Sequence, residues 1–230
     1  MNPTLRIKDC GRRVGRGGIQ GFSLVELLVV MTIIVLLIGL VIPAMMGTLR
    51  AAHLNSGGRV LVDQLNLARQ IAKTKSLPVE VRLYKLPDHG RPDNEVVATG
   101  TGVGKGVYRG FQLFSIDSSG VAAPLDKPEF FQSPVVIATG TTVSTLFADT
   151  AHSERAPITT GSNADPNVGT FGKNYYYIPF QFAPSGSTNL SSGKEFFTLI
   201  LENGKSLSQG GNFFTIQIDP VSGSTRSFRP

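Results

Sequence analysis

The longest apolar stretch lies near the start of the chain: from Leu24 to Ile42 only Glu26, Thr32 and Gly39 are not large and apolar. At ~1.5 Å rise per residue this run spans roughly 28 Å, about the hydrocarbon thickness of a bilayer. The pattern predicts one membrane-crossing helix over about 22–43, and no later run approaches its length. Helical spacing continues over 44–76, interrupted at Ser56-Gly57-Gly58. Within it Leu61, Leu65, Ala68 and Ala72 recur at three- and four-residue intervals with Ile71 beside them, while Asp63, Gln64, Arg69 and Lys73 fall elsewhere. Such a stripe must pack on something.

Pro78 closes the helix, and Val79, Val81 and Leu83 then alternate with Glu80, Arg82 and Tyr84 as a half-buried strand. Beyond Leu86 the pattern is of strands and turns, over 107–116, 129–138, 142–148, 174–183, 195–202, 212–219 and 224–229. The last two read as a hairpin returning through Pro220-Val221-Ser222-Gly223. The polar stretch 149–173 reads as a surface loop. The expected fold class is α+β: a long N-terminal helix, its first half transmembrane, packed on an antiparallel β-sheet or small β-sandwich head.

Length allows one globular unit plus an appendage, and 41% hydrophobic against 17% charged residues excludes disorder as the default. The net charge of +6 changes meaning once divided along the chain. Residues 1–21 hold Arg6, Lys8, Arg12, Arg13 and Arg16 against Asp9, leaving only +2 for the other 209 residues. The basicity is therefore a topology signal that keeps the leader cytoplasmic and exports 50–230; no nucleic-acid partner is inferred. The single cysteine, Cys10, also lies in the leader. A chain that loses the leader has neither a disulfide nor a cysteine-ligated metal site. No apolar stretch precedes Cys10, as a lipoprotein signal would require.

Just before the apolar run stands Gly21-Phe22-Ser23-Leu24-Val25-Glu26-Leu27-Leu28-Val29-Val30. This resembles the type IV prepilin cleavage and methylation motif. The resemblance implies that a cytoplasm-facing prepilin peptidase/methyltransferase cuts after Gly21, leaves the apolar run attached and methylates Phe22. Glu26 then becomes the fifth and Pro43 the twenty-second residue of the mature chain, as in pilins. Independently of any family, an ionised group in a spanning helix costs ~2.5–3.5 kcal/mol at the bilayer centre and is normally kept for a function. Pro43 removes one backbone hydrogen bond, and with Gly39 and Gly47 around it predicts either a kinked or unwound stretch or the end of the spanning helix.

The helix-then-strands order and Phe182-Ala183-Pro184-Ser185-Gly186 resemble the minor pseudopilins of type II secretion and their relatives in type IV pilus systems. A closer likeness is to the verrucomicrobial prepilin-like cassette D proteins, carried by 61–70 (LVDQLNLARQ) and 79–87 (VEVRLYKLP). The implied organisation is a cleaved basic leader (1–21), a stem helix (22–76) and an exported β-rich head (77–230). The implied function is a minor pilin or pseudopilin subunit, not an enzyme, single-pass in the inner membrane with a periplasmic or extracellular head. Its partners would be the peptidase and other pilin-like subunits, joined through Glu26 and Pro43 of the stem. The alternative is a membrane-tethered ligand-binding or enzymatic β domain.

Other candidate chemistry is thin. Residues 100–106 (GTGVGKG) lack the spacing of a phosphate loop or a dinucleotide fingerprint and read as a flexible hairpin loop. His53, His89 and His152 show no metal-ligand spacing and read as solvated, so no metal or cofactor is expected. Phe130-Phe131, Phe196-Phe197 and Phe213-Phe214 each place one ring toward a core and one away from it. Tyr175-Tyr176-Tyr177 is the expected exposed aromatic strip.

Overall fold

The computed structural model describes residues 22–87, 106–161, 164–193, 195–202 and 211–229, with backbone alone for 40–45. The chain divides into two units, Met1–Met45 and Met46–Pro230. One helix, α1 (Leu24–Lys75), supplies the described part of the first unit and the opening element of the second. It is helical throughout, through both Pro43 and Gly57-Gly58. The expected interruption at 56–58 is absent, and α1 neither ends nor unwinds at Pro43, although proline leaves the Gly39 carbonyl without its usual donor. The reason at Gly58 is packing: a Cβ there would sit 2.5 Å from the Phe214 ring. Its glycine admits a close approach to the sheet and does not break the helix.

The head strands are β1 (Val79–Leu86), β2 (Val107–Ile116), β3 (Ala122–Pro124), β4 (Glu129–Phe130), β5 (Val135–Ile137), β6 (Tyr176–Phe182), β7 (Phe196–Leu201), β8 (Phe213–Ile218) and β9 (Thr225–Phe228). They form one antiparallel sheet in the order β6-β1-β2-β5-β7-β8-β9, with β3 and β4 paired to β2. The predicted stripe Leu61, Leu65, Ala68 and Ala72 is wholly buried against Val81, Leu83, Phe111, Phe180, Leu199 and Ile216. A long N-terminal helix packed on an antiparallel sheet is thus the architecture of the head.

The sheet is single, and its other face is covered by irregular chain. The expected strand at 142–148 is instead a short 3-10 helix, Thr145–Ala148. Val143, Leu146 and Phe147 carry a three- and four-residue spacing there; Leu146 enters the core, and Phe147 meets Tyr108 edge-on at 4.8 Å. The segment docks on β7 through side chains: Thr198 N–H donates to Ser144 Oγ (2.9 Å), and Thr198 Oγ1 donates to the Val143 carbonyl (2.5 Å). The predicted strand 129–138 is split by Gln132-Ser133-Pro134 into β4 and β5. Nor is 149–173 simply a surface loop, since Asp149, His152, Asp165 and Val168 are buried. Covered on both faces, β1 is buried at every position, where alternation alone predicts a half-buried strand.

Candidate functional site

Two regions carry the chemistry, the apolar end of α1 and a polar layer beneath the sheet. At the first, Ser23 caps the helix: its Oγ accepts from Val25 N–H at 3.3 Å, and its carbonyl accepts from Leu27 N–H at 3.1 Å. Glu26 sits in the first turn, beside the positive end of the helix dipole, and follows Ser23 at capping-box spacing. From Phe22 to Gly39 every residue is exposed, and the apolar side chains point to all sides; Phe22 and Leu24 are 78% and 81% exposed. Thr32 hides its hydroxyl by donating to the Leu28 carbonyl at 2.8 Å. A helix apolar all round has no stable place in water and is ordinarily enclosed by lipid or protein. Among the described residues no helix is long and apolar enough to cross a membrane. The described side chains of the run stop at Gly39, while the sequence continues through Leu40, Val41 and Ile42. Gly21 lies outside the described residues, as does the side chain of Pro43.

The polar layer is built on β1. Arg82 Nε donates to Glu80 (2.6 Å), and Nη1 donates to Asp165 (2.5 Å). Its guanidinium lies between the rings of Phe114 and Tyr177, 4.1 and 4.4 Å from their centroids. Burial alone disfavours the cation, but the bonds to Asp165 and Glu80 outweigh it and raise the Arg82 pKa. Asp165 in turn accepts from Ile158 N–H (2.8 Å), so the arginine ties the 158–165 segment to the sheet. Gln181 on β6 donates to the free oxygen of Glu80 (3.0 Å). Nearby, Lys85 and the Tyr108 hydroxyl both donate to Glu154, at 3.0 and 2.6 Å. Burial first, then Glu154, pushes the Tyr108 phenol up, so it stays a neutral donor.

The histidines and tyrosines depart from expectation. His152 is buried, with Nδ1 2.8 Å from Asp149 Oδ2. Burial would raise Asp149, but hydrogen bonds from His152, Ala151 and Ser191 prevail and hold its carboxyl below the ordinary value. His53 is half-buried against the Ser133 carbonyl (3.3 Å), and His89 and 100–105 fall outside the described residues. Tyr175 and Tyr177 are buried with Tyr84, Leu86, Phe114 and Val168 in a second core, so the tyrosine strip is an interior feature. The hydroxyl of Tyr175 donates to the Pro166 carbonyl and that of Tyr84 to Gln112, which is why the rings tolerate burial. The phenylalanine pairs follow their pattern: Phe131, Phe197 and Phe214 are buried and their neighbours are not. What sequence reasoning missed is the Arg82 clamp. Its signal was the run of long polar side chains on the second face of a central strand.

A cleft of ≈ 270 Å³ opens on one flank of α1, between His53, Ser56, Gly57 and Val60 of the helix and Phe111, Glu129, Phe130, Phe131 and Gln132 of the sheet. Gln64 donates to Glu129 at 3.1 Å. Burial, and then the neighbouring Asp126, push the Glu129 carboxyl up.

Residues 16–42 match the family model of the prokaryotic N-terminal methylation motif. The chain therefore has a prepilin-like N terminus, at the place where the exposed apolar helix begins. No curated protein matches it in sequence. Among solved structures it is similar to the type IV minor pilin FimU of Pseudomonas aeruginosa, at 15% identity and a TM-score of 0.35, covering 77% of this chain and 87% of that one. A second crystal form of FimU gives the same identity and score with 97% of its chain covered. The minor pseudopilin EpsH of the type 2 secretion system of Vibrio cholerae is similar at 9% identity and a TM-score of 0.39, covering 77% of this chain and 98% of that one. Likenesses of this depth lie below the level that establishes a shared fold.

Proposed function

We propose that the chain is a minor pilin or pseudopilin-type structural subunit of a type IV pilus-like or type II secretion-like filament. In this reading a prepilin peptidase cuts after Gly21 and methylates Phe22, and the stem over about 22–43 holds the protein as a single pass in the inner membrane. The leader is cytoplasmic, and the head is periplasmic or extracellular. Subunits join through their stems, with Glu26 matching the amine of a neighbouring Phe22 and Pro43 adapting the stem to its neighbours. The observation that carries the reading is the helix apolar on every side, entered directly from the methylation motif and holding one acidic residue in its first turn. A plain tether needs no such acid.

Intact mass of the membrane-extracted protein tests it. The expected mass lacks residues 1–21 and carries one added methyl group on Phe22. A full-length mass, or cleavage beyond Ile42, would overturn the reading.

A further inference from the structure

We propose that the cleft beside His53 and Glu129 receives the Arg59 side chain of a second copy of this chain, docked flank to flank. The inference rests on the assembly reading above and names a contact in it.

The cleft presents one carboxylate, Glu129, with no matching cation among the described residues. Glu129 uses one oxygen for Gln64, and Asp126 uses one for Leu113 N–H (3.1 Å). Asp126 and Gln64 do not line the cleft, and Asp126 Oδ2 and Gln64 Oε1 are buried and meet no donor among the described residues. Neither carboxylate forms an ion pair among the described residues. The raised Glu129 carboxyl is what a half-buried acid beside a second acid shows when no cation relieves it. His53 lines the cleft, with its Nδ1 3.3 Å from the Ser133 carbonyl. Phe130, 38% exposed, adds a ring face at the mouth. A carboxylate beside aromatic rings, in a space large enough for one long side chain, matches a guanidinium in charge and shape.

The donor stands on the opposite flank of the same helix. Arg59 is exposed and lines a separate cleft with Val62, Asp63, Phe214 and Ser227. Asp63 lies one turn on, yet Arg59 makes no ion pair among the described residues. The helical positions facing the Glu129 cleft (53, 56, 57, 60) and those facing the Phe214 cleft (59, 62, 63) fall on either side of the buried stripe. A negative cleft on one flank and an unpaired cation on the other form a heterologous contact. Such a contact repeats from copy to copy and builds a ring or an open helical array, not a two-fold pair.

Cross-linking in membranes tests this with the full chain in a Cys10→Ser background. Asp63→Cys in one copy and Gln132→Cys in another should form a disulfide. Its yield should fall at least about tenfold in Arg59→Gln and in Glu129→Gln, as for a close interfacial charge pair. It should return in the charge exchange Arg59→Glu with Glu129→Arg. Leu28→Cys, linking stem to stem, reports assembly separately. Stem links without flank links, flank links indifferent to both glutamine variants, or Asp63→Cys linking to itself would each overturn the contact while leaving the assembly reading standing. Absence of stem and flank links together would remove the assembly reading, and the contact with it.

Discussion

Arg82 holds two carboxylates, Glu80 and Asp165, on one guanidinium in a place where all three are buried. The arrangement stabilises by mutual satisfaction: remove the arginine and two acids are left without a counter-charge. Arg82→Leu is expected to cost ~3–5 kcal/mol of head stability in urea unfolding, and Arg82→Leu with Asp165→Asn less than the single change. Lysine should rescue poorly, because it supplies neither the fork that bridges Glu80 and Asp165 nor the flat group held between Phe114 and Tyr177. Two other carboxyls give opposite pH responses. Asp149, held below the aspartate value of 3.8, contributes stability that is complete above that value and lost as the pH falls through the lower folded one. Asp149→Asn should therefore be the less stable protein at neutral pH, with the difference vanishing in strong acid. Glu129, raised above 4.5, costs stability as the pH climbs from that value through its folded one. Glu129→Gln should be the more stable head at neutral pH, and urea midpoints across the acid range would show the two curves converging at low pH.

At the scale of the element, Gly58 separates two accounts of α1. If Gly58 stood in open space on the helix, Gly58→Ala would stabilise by ~1 kcal/mol through propensity. Since a Cβ would meet the Phe214 ring at 2.5 Å, the change should instead destabilise by about 1–3 kcal/mol, with recovery when Phe214→Leu makes room. Thermal unfolding of the three variants decides between the accounts. This position also marks where sequence reading stopped. The apolar run, the stripe from Leu61 to Ala72 and six strands, β1, β2, β6, β7, β8 and β9, were legible because each is written in local periodicity, though not the burial of β1 on both faces. The meaning of Gly58 was not, because it lies in a ring 156 residues away. The segment 142–148 looked like a strand from its β-branched residues, but its apolar spacing and the Ser144–Thr198 contacts set it as a 3-10 turn. The clamp over the second face was hidden for the same reason. Arg82 and Asp165 come together only in the fold, so polar residues that read as solvent-facing are interior. At the candidate site, the methylation motif and the apolar run were legible in the sequence itself, whereas the Glu129 cleft, assembled from the helix and the 111 and 129–132 segments, was not.

The whole molecule joins a satisfied head to a helix end that is not. The head buries its apolar residues in two cores and pairs most of its buried charges. Residues 22–39 leave theirs exposed, so the free energy withheld there is available only when lipid or other stems cover them. Within that surface Glu26 is the one ionisable group among the described residues. After a cut at Gly21 its carboxylate would stand four residues, ~6 Å of helix rise, from a new amine on Phe22. In the proposed staggered bundle the carboxylate of one stem would reach the amine of the next, and both charges would be neutralised in a medium where an unpaired one costs several kcal/mol. Glu26→Ala should therefore leave processing and membrane insertion intact and depress incorporation into assemblies. The alanine stem inserts slightly more readily on its own, while in the bundle it leaves an amine without its partner. Stem-to-stem cross-linking of Leu28→Cys in the Cys10→Ser background, with and without Glu26→Ala, measures the difference at constant mature mass. Equal cross-linking in the two would reduce Glu26 to an acidic residue of the first helical turn.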